Sequence, residues 1–559
     1  MVSVSIPSYA AEVNQSHRRV IIASSLGTVF EWFDFFLYGS LAAVISKQFF
    51  AGVNETTGFM FALLTWAAGF AVRPLGAIVF GRLGDMVGRK RTFLVTIIIM
   101  GAATAAVGIL PTYASAGLIA PIALVTLRML QGLAVGGEYG GAAVYVAEHA
   151  PPGKRGLYTS WIQSTSTLGL ILSLVVIMVC RAILGTEFET WGWRVPFLIS
   201  VVLLIISVYI RMQLAESPVF QTMVASGLRS KAPLRESFGN WKNLKSVLLS
   251  LFGATAGMTV VWYGGHFYSL FFLTQTLKVE AQTANVLLCI ALVMAMPLFI
   301  TMGWLSDRIG RKKLLLLGCV LAALTYFPIF RGLTHYANPA IEEAARRAPV
   351  TVVADSNGCS FQFDPVGKAK FTRSCDIAKA ALAKAGVPYT TKAGEPGSLA
   401  VVRIGNGAEA PATVVPSFEG GQLAAAQFKE ASARFTAVLA DSLKRAGYPA
   451  KADPVRINRP MVLLLLLILL FYVSLVYGPL AAWLAELFPP RIRYTSLSVP
   501  YHIAVGWLGG FLPTVAFAIV AITGDIYSGL WYPVIIALAS ACVGAFFLPD
   551  THGTEVPAS

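Results

Sequence analysis

Charge is scarce in this 559-residue sequence. Asp, Glu, Lys and Arg together make up 13% of it, about half the share of a soluble domain. Cysteine is scarce as well, with six in the whole length, so a disulfide scaffold is excluded. In place of charge stands a hydrophobic share of 56%. Together these features exclude a soluble enzyme, a disordered chain and a fibrous one. The net charge of +15 would point to nucleic acid only if Lys and Arg built a face. They cluster instead at the ends of apolar runs, which is a topology signal. The chain reads as a polytopic membrane protein.

A bilayer core takes about 20 apolar residues per helix. Twelve runs qualify: 20–47, 58–80, 92–111, 118–147, 157–182, 194–213, 246–275, 282–305, 314–333, 460–485, 496–522 and 528–548. Basic residues mark alternate loops: Arg82, Arg89, Lys90 and Arg91, then Lys154 and Arg155, then Arg308, Arg311, Lys312 and Lys313, then Arg491 and Arg493. Arg211, Arg229, Lys231, Arg235, Lys242 and Lys245 belong to the connection between spans 6 and 7. The opposite loops, Ala51–Thr57, Pro111–Gly117 and Thr523–Ser528, hold no Lys or Arg. The positive-inside rule then predicts both termini in the cytoplasm. No cleaved leader is expected, because the chain is polar through Arg19 and the first apolar run is long.

The expected organisation is a cytoplasmic N-terminus (1–19), a six-helix half (20–213), a cytoplasmic linker (214–245), and a second half in two parts (246–333 and 460–548). An inserted segment (334–459) and a cytoplasmic tail (549–559) complete it. Residues 335–459 carry 27 of the 71 charged residues, so this segment cannot lie in lipid. Strand-like runs (Val350–Ala354, Leu399–Ile404, Thr413–Val415) mix there with helical patterns (Cys375–Ala385, Gln422–Ala446), which predicts a small α/β domain on the non-cytoplasmic side. Cys359 and Cys375 both fall in it and could pair in an oxidising compartment or stay free. The insert shows no metal spacing, nucleophile elbow or phosphate loop, and no cofactor is expected.

Two motifs recur. Gly81-Arg-Leu-Gly-Asp85-Met-Val-Gly88-Arg89-Lys90-Arg91 returns as Gly303-Trp-Leu-Ser-Asp307-Arg-Ile-Gly310-Arg311-Lys312-Lys313. Ala147-Glu148-His-Ala-Pro151-Pro152 returns as Ala485-Glu486-Leu-Phe-Pro489-Pro490, and in each copy an Arg follows the Glu by seven (Arg155, Arg493). The extra spacing between the second pair nearly equals the charged insert. The unit is therefore six spans, repeated in parallel, an arrangement that places a binding site between halves.

With these repeats the sequence resembles the major facilitator superfamily over all twelve spans. It is most similar to the metabolite:proton symporter branch, whose members carry organic acids, shikimate or betaine-type osmolytes. The segments that carry this likeness are Glu31-Trp-Phe-Asp34-Phe-Phe-Leu-Tyr38-Gly39, Arg73-Pro-Leu-Gly76, Arg128-Met-Leu-Gln131-Gly132 into Gly136-Gly-Glu138-Tyr-Gly-Gly141, Trp191-Gly-Trp-Arg194-Val-Pro196, Glu216-Ser-Pro218 and Tyr477-Gly-Pro-Leu-Ala-Ala-Trp-Leu-Ala-Glu486. The insert departs from the family pattern. Span 5, with Ser164-Thr-Ser-Thr-Leu-Gly169, lacks the Gly-Pro element of drug antiporters. The resemblance implies a symporter that works as a monomer.

A charge at a helix centre costs about 2.5–3.5 kcal/mol on insertion scales, so each one needs a reason. Glu31 and Asp34 share a face of span 1, with Tyr38 one turn on. They read as proton carriers or as partners of a buried Arg. Arg128 in span 4 needs a carboxylate, for which Glu31, Asp34 and Glu138 are candidates; the resemblance associates this Arg with proton transfer. Gly132, Gly136 and Gly140 predict a close helix approach. Arg73, before Pro74, reads as structural. Gln163, Tyr263, His266, Tyr501 and His502 are candidate substrate contacts, with packing as the alternative for each. Asp85 and Asp307 can sit against helix N-termini across the half-interfaces, with Thr495-Ser496 and Thr159-Ser160 as expected seats. Arg89 and Arg311 can pair with Glu148 and Glu486, while Gly81 and Gly303 let helices meet. These residues, with Arg155 and Arg493, form a candidate cytoplasmic gate.

The expectation is proton-coupled uptake of a small organic anion or zwitterion across a bacterial inner membrane, with lipid as the other partner and no nucleic acid. A proton-coupled exporter and a transporter-derived ligand sensor remain as alternatives, and an enzyme is not expected.

Overall fold

In the computed structural model, the described residues are 25–51, 61–62, 65, 68–213, 216–355, 358–360, 372–405 and 412–551. The expected N-terminus (1–19), the start of span 1, parts of span 2 and residues 552–559 of the tail lie outside them. The long helices are α1 (25–49, broken at Leu41), α2 (Arg73–Met86), α3 (Arg89–Ile109), α4 (Ile119–His149), α5 (Arg155–Leu184), α6 (Arg194–Met212), α7 (Trp241–Thr276), α8 (Ala281–Ile309), α9 (Arg311–Ala337), α10 (Arg459–Leu487), α11 (Arg493–Thr523) and α12 (Ser528–Phe547). Among the described residues, ten of these are long and apolar enough to cross a membrane.

Burial is inverted relative to a soluble protein. Ile183, Leu324 and Phe546 are exposed, whereas Arg89, Arg128, Arg211 and Arg493 are fully buried. Apolar side chains therefore face lipid, and charge faces the bundle interior. Glycine sets the closest approaches in α4. A Cβ at Gly132 or Gly136 would collide with the carbonyl oxygens of Gly69 and Arg73 beside and within α2, and one at Gly140 would strike Ser498 on α11. One glycine row thus joins α4 both to its own half and to the other. Gly88 (φ 126°) and Gly310 (φ 103°) turn the chain between α2 and α3 and between α8 and α9, a conformation that a side chain would disfavour.

The halves meet where α2 packs on α11 and α5 packs on α8. Helix α7 is interrupted by wide π turns at Leu251–Thr255, Gly264–Tyr268 and Phe272–Thr276, and α11 by one at Ala504–Gly509. Such turns cluster at functional sites, and here both helices line the central cavity.

Between α9 and α10, strands β1 (Val350–Ala354), β2 (Tyr389–Ala393), β3 (Val401–Ile404) and β4 (Thr413–Pro416) form one sheet in the order β2-β1-β3-β4. The β1–β2 pair is parallel and the other two pairs are antiparallel. Helices Pro339–Arg347, Ser374–Ala385 and Ala425–Arg445 accompany it, and Cys359 is disulfide-bonded to Cys375. Burial holds Tyr448 of this segment above its usual phenol pKa. The segment docks on the second half: the Tyr389 amide donates to the Gly524 carbonyl (2.9 Å), and Lys278 Nζ donates to the Lys384 carbonyl (2.6 Å).

Candidate binding and gating sites

The duplicated motifs converge at one end of the helix bundle. Asp85, at the end of α2, accepts from the backbone amides of Tyr494 (3.2 Å) and Thr495 (2.9 Å) in the first turn of α11. Asp307, at the end of α8, accepts from the amides of Gly156 and Leu157 (both 2.8 Å) at the start of α5. The second seat corrects the expected one at Thr159-Ser160. Those hydroxyls bond back to Arg155 and Leu157 carbonyls, and only the first amides of a helix lack intrahelical partners. The first seat also begins one residue earlier than expected. Each carboxylate completes a helix N-terminus belonging to the other half.

The glutamates are exchanged between halves in the same way. Glu148 lies 2.8 Å from Arg493 and 3.5 Å from Arg89. Glu486 lies 3.0 Å from Arg311 and 3.8 Å from Arg155. Arg89 and Arg311 also reach Asp85 (3.2 Å) and Asp307 (2.7 Å) in their own motifs. At the contacts themselves, a Cβ on Gly81 would press on Thr495, and one on Gly303 would press on Ser160.

Above this lattice, Tyr139 stacks on Tyr501 (3.8 Å between centroids), and the Tyr477 hydroxyl meets that of Tyr501 at 3.4 Å. Gln163 donates to the Tyr139 hydroxyl at 2.9 Å. Tyr477 and Tyr501 of this layer line a cavity of about 20 Å³ whose walls also include Trp32, Phe35, Phe70, Trp262, Tyr263 and Arg73. Arg73, read in sequence as structural, lines this cavity. Its guanidinium lies over the rings of Phe70 (4.1 Å) and Phe35 (4.6 Å), and its Nε and Nη2 have no hydrogen-bond partner among the described residues. Thr259 Oγ1 and Trp262 Nε1, from the same walls, are also unpartnered. The cavity therefore joins unused donors to aromatic faces.

The two histidines part company. His266 is turned to the Trp262 carbonyl (2.9 Å) and stacked on that indole. His502 is buried with both ring nitrogens unpartnered among the described residues.

Arg128 is found without any of the three expected carboxylates at ion-pair distance. Its Nη1 donates to Gln131 Oε1 (2.5 Å), and its guanidinium lies 4.3 Å from the Tyr38 ring centre. Gln131 in turn donates to Thr104 Oγ1 (2.7 Å). Asp34 accepts from Ser200 Oγ (2.7 Å), and Tyr38 donates to the Ala62 carbonyl (3.0 Å). Glu31 and Glu138 go to a different cation, Arg211 of α6, at 2.7 and 3.0 Å. Arg211 was counted in sequence as a loop charge because it ends an apolar run.

The chain matches the "Sugar (and other) transporter" family over residues 20–246. It is 38% identical over 326 residues to a proline/betaine transporter of Salmonella typhimurium, covering 56% of this chain and 64% of that one. It thus spans less than two thirds of that relative's length. A shikimate transporter of Escherichia coli is 35% identical over 323 residues, 56% of this chain and 72% of that one. In fold, the chain is similar to the proton:xylose symporter XylE bound to 6-bromo-6-deoxy-D-glucose, with a TM-score of 0.63 at 15% identity, covering 97% and 98% of the two chains. These relatives are transporters rather than enzymes, and the chain belongs to the major facilitator superfamily of metabolite transporters.

Proposed function

We propose that the protein is a proton-coupled symporter that takes up a small zwitterion or organic acid across a bacterial inner membrane by alternating access. In this reading twelve spans set both termini in the cytoplasm, residues 334–459 stand outside, and one chain suffices. The observation that carries the substrate class is Arg73 in its aromatic cavity. A guanidinium with free donors pairs with a carboxylate, and Trp and Tyr faces attract a quaternary ammonium. A betaine carries both groups. The relatives named for proline, betaine and shikimate all handle carboxylate-bearing solutes.

At about 20 Å³ the cavity holds roughly one water, so its walls must part to admit any such solute. The lattice of Asp85, Arg89, Glu148 and Arg493, with Asp307, Arg311, Glu486 and Arg155, supports a closed cytoplasmic side that opens as the halves rock. Asp34 serves as a proton carrier, with Thr104, which accepts from the Gln131 amide, beside its carboxyl.

The test is accumulation of labelled glycine betaine, proline and shikimate in proteoliposomes with and without an imposed inward proton gradient. Gradient-dependent accumulation of one of them is expected, and Arg73→Lys should raise its KM at least tenfold. Efflux on the reversed gradient alone would mean an exporter. Binding without flux would mean a sensor, and Asp34→Asn with undiminished gradient-driven uptake would remove the proton role of that residue.

A further inference from the structure

Away from the central cavity, the first half buries a second charged cluster, Glu31, Glu138 and Arg211, each at most 8% exposed. A single guanidinium serves both carboxylates, through Nη2 to Glu31 Oε1 (2.7 Å) and Nη1 to Glu138 Oε1 (3.0 Å). The Arg211 guanidinium is fixed over the Phe93 ring at 3.4 Å. Glu138 Oε2 has no partner among the described residues.

Among the described residues, the groups that face the cluster bring no second cation to it. Tyr494 of α11 spends its hydroxyl on the Gly137 carbonyl. Asp34, one turn along α1, is held by Ser200. Arg128 is engaged with Gln131 and Tyr38. With both carboxyls ionised, the cluster would be a buried monoanion, a state that low dielectric strongly disfavours. One proton restores neutrality.

A route for that proton is visible. A cavity of about 10 Å³ lies among Glu31, Asp34, Met100, Leu203 and Ser207. The buried Ser207 Oγ is unpartnered among the described residues. A void of that size with two carboxyls and a hydroxyl on its wall suits a single water.

We propose that Glu31 and Glu138 share one exchangeable proton beneath Arg211, forming a proton site on the first half distinct from Asp34. Uptake of the proton converts one carboxylate of the pair to a carboxylic acid while Arg211 keeps its charge. The reverse step releases the proton by way of Asp34.

This deepens the proton-coupled reading, but its test uses no transport, so failure of one is separable from failure of the other. Infrared difference spectra of the purified protein in lipid would be recorded in H₂O and D₂O near neutral pH. The wild type should show a protonated-carboxyl C=O band that shifts on deuteration. Glu31→Gln and Glu138→Gln should each lose the equivalent of one carboxyl, because either change leaves a balanced carboxylate–Arg211 pair. Asp34→Asn should retain that component. A wild type with no exchangeable carboxyl band would overturn the proposal without reference to any variant. So would a band undiminished in both glutamine variants.

Discussion

The two interfaces between the halves carry one motif twice, yet solvent treats them differently. At the α2–α11 contact, Arg89, Glu148 and Arg493 are all at most 2% exposed at their side chains. Ser217 also donates its hydroxyl to Glu148. At the α5–α8 contact, Arg311 and Glu486 are 4% and 5% exposed and Arg155 is 22% exposed. The difference teaches that a duplicated signature fixes geometry without fixing energy. A dry ion cluster is costly to break because each remaining charge is stranded. At the second contact only Arg155 is open to solvent, and its pair with Glu486 is screened and worth little. By this argument the first interface is the costlier of the two to break, and the second is the more open to salt.

The largest effect should come from stranding charge in the dry copy. Glu148→Ala leaves Arg493 buried without its carboxylate and Arg89 with Asp85 alone, and a loss of about 3–5 kcal/mol is expected, read as a fall in the melting temperature of the purified protein. Glu486→Ala should cost clearly less. Equal shifts would break the comparison.

A middle effect concerns the caps. Asp85→Ala and Asp307→Ala each remove a helix cap worth about 0.5–2 kcal/mol, but Asp85→Ala also unbalances the dry cluster. A cysteine placed at Ser164, in the interior of α5, should react with a thiol reagent faster in both variants, and fastest with Asp85→Ala. A greater rate with Asp307→Ala would reverse the ranking. The smallest effect is that of Arg155→Ala, under about 1 kcal/mol. It should flatten the salt dependence of melting, because its pair is the one that ions reach. An unchanged salt dependence would place the screening elsewhere.

The contacts of the duplicated motifs are the part most legible in sequence. Duplication singles out Asp85, Asp307, Glu148 and Glu486 from ordinary loop charge, and helix starts offer free amides only in their first turn. The seats were nonetheless displaced, by one residue at Tyr494 and by three at Gly156, because hydroxyl residues mark a cap in sequence whereas the unpaired amides precede them. In the inserted segment, β-branched runs announced β1, β3 and β4. Strand β2, Tyr-Thr-Thr-Lys-Ala with only Tyr389 buried, is a polar edge strand with no apolar alternation to reveal it. The cavity was the least legible part. Arg73 resembles any basic residue beside a proline until Phe70, just before α2, and the aromatic rings of α1 and α7 gather around it. That gathering depends on helices far apart in the chain, as does the choice of Arg211 over Arg128 by Glu31 and Glu138.

The central claim is that the dry and wet interfaces part together to open the cavity to the cytoplasm. Spin labels on cysteines at Arg82 and Arg491 would span α2 and α11, and labels at Lys154 and Arg308 would span α5 and α8. Distances measured in lipid with and without glycine betaine at mildly acidic pH test it directly. Both distance distributions should shift to longer values together when solute and protons are supplied. Lengthening of one pair alone, or of neither in protein that accumulates the solute, would contradict the account.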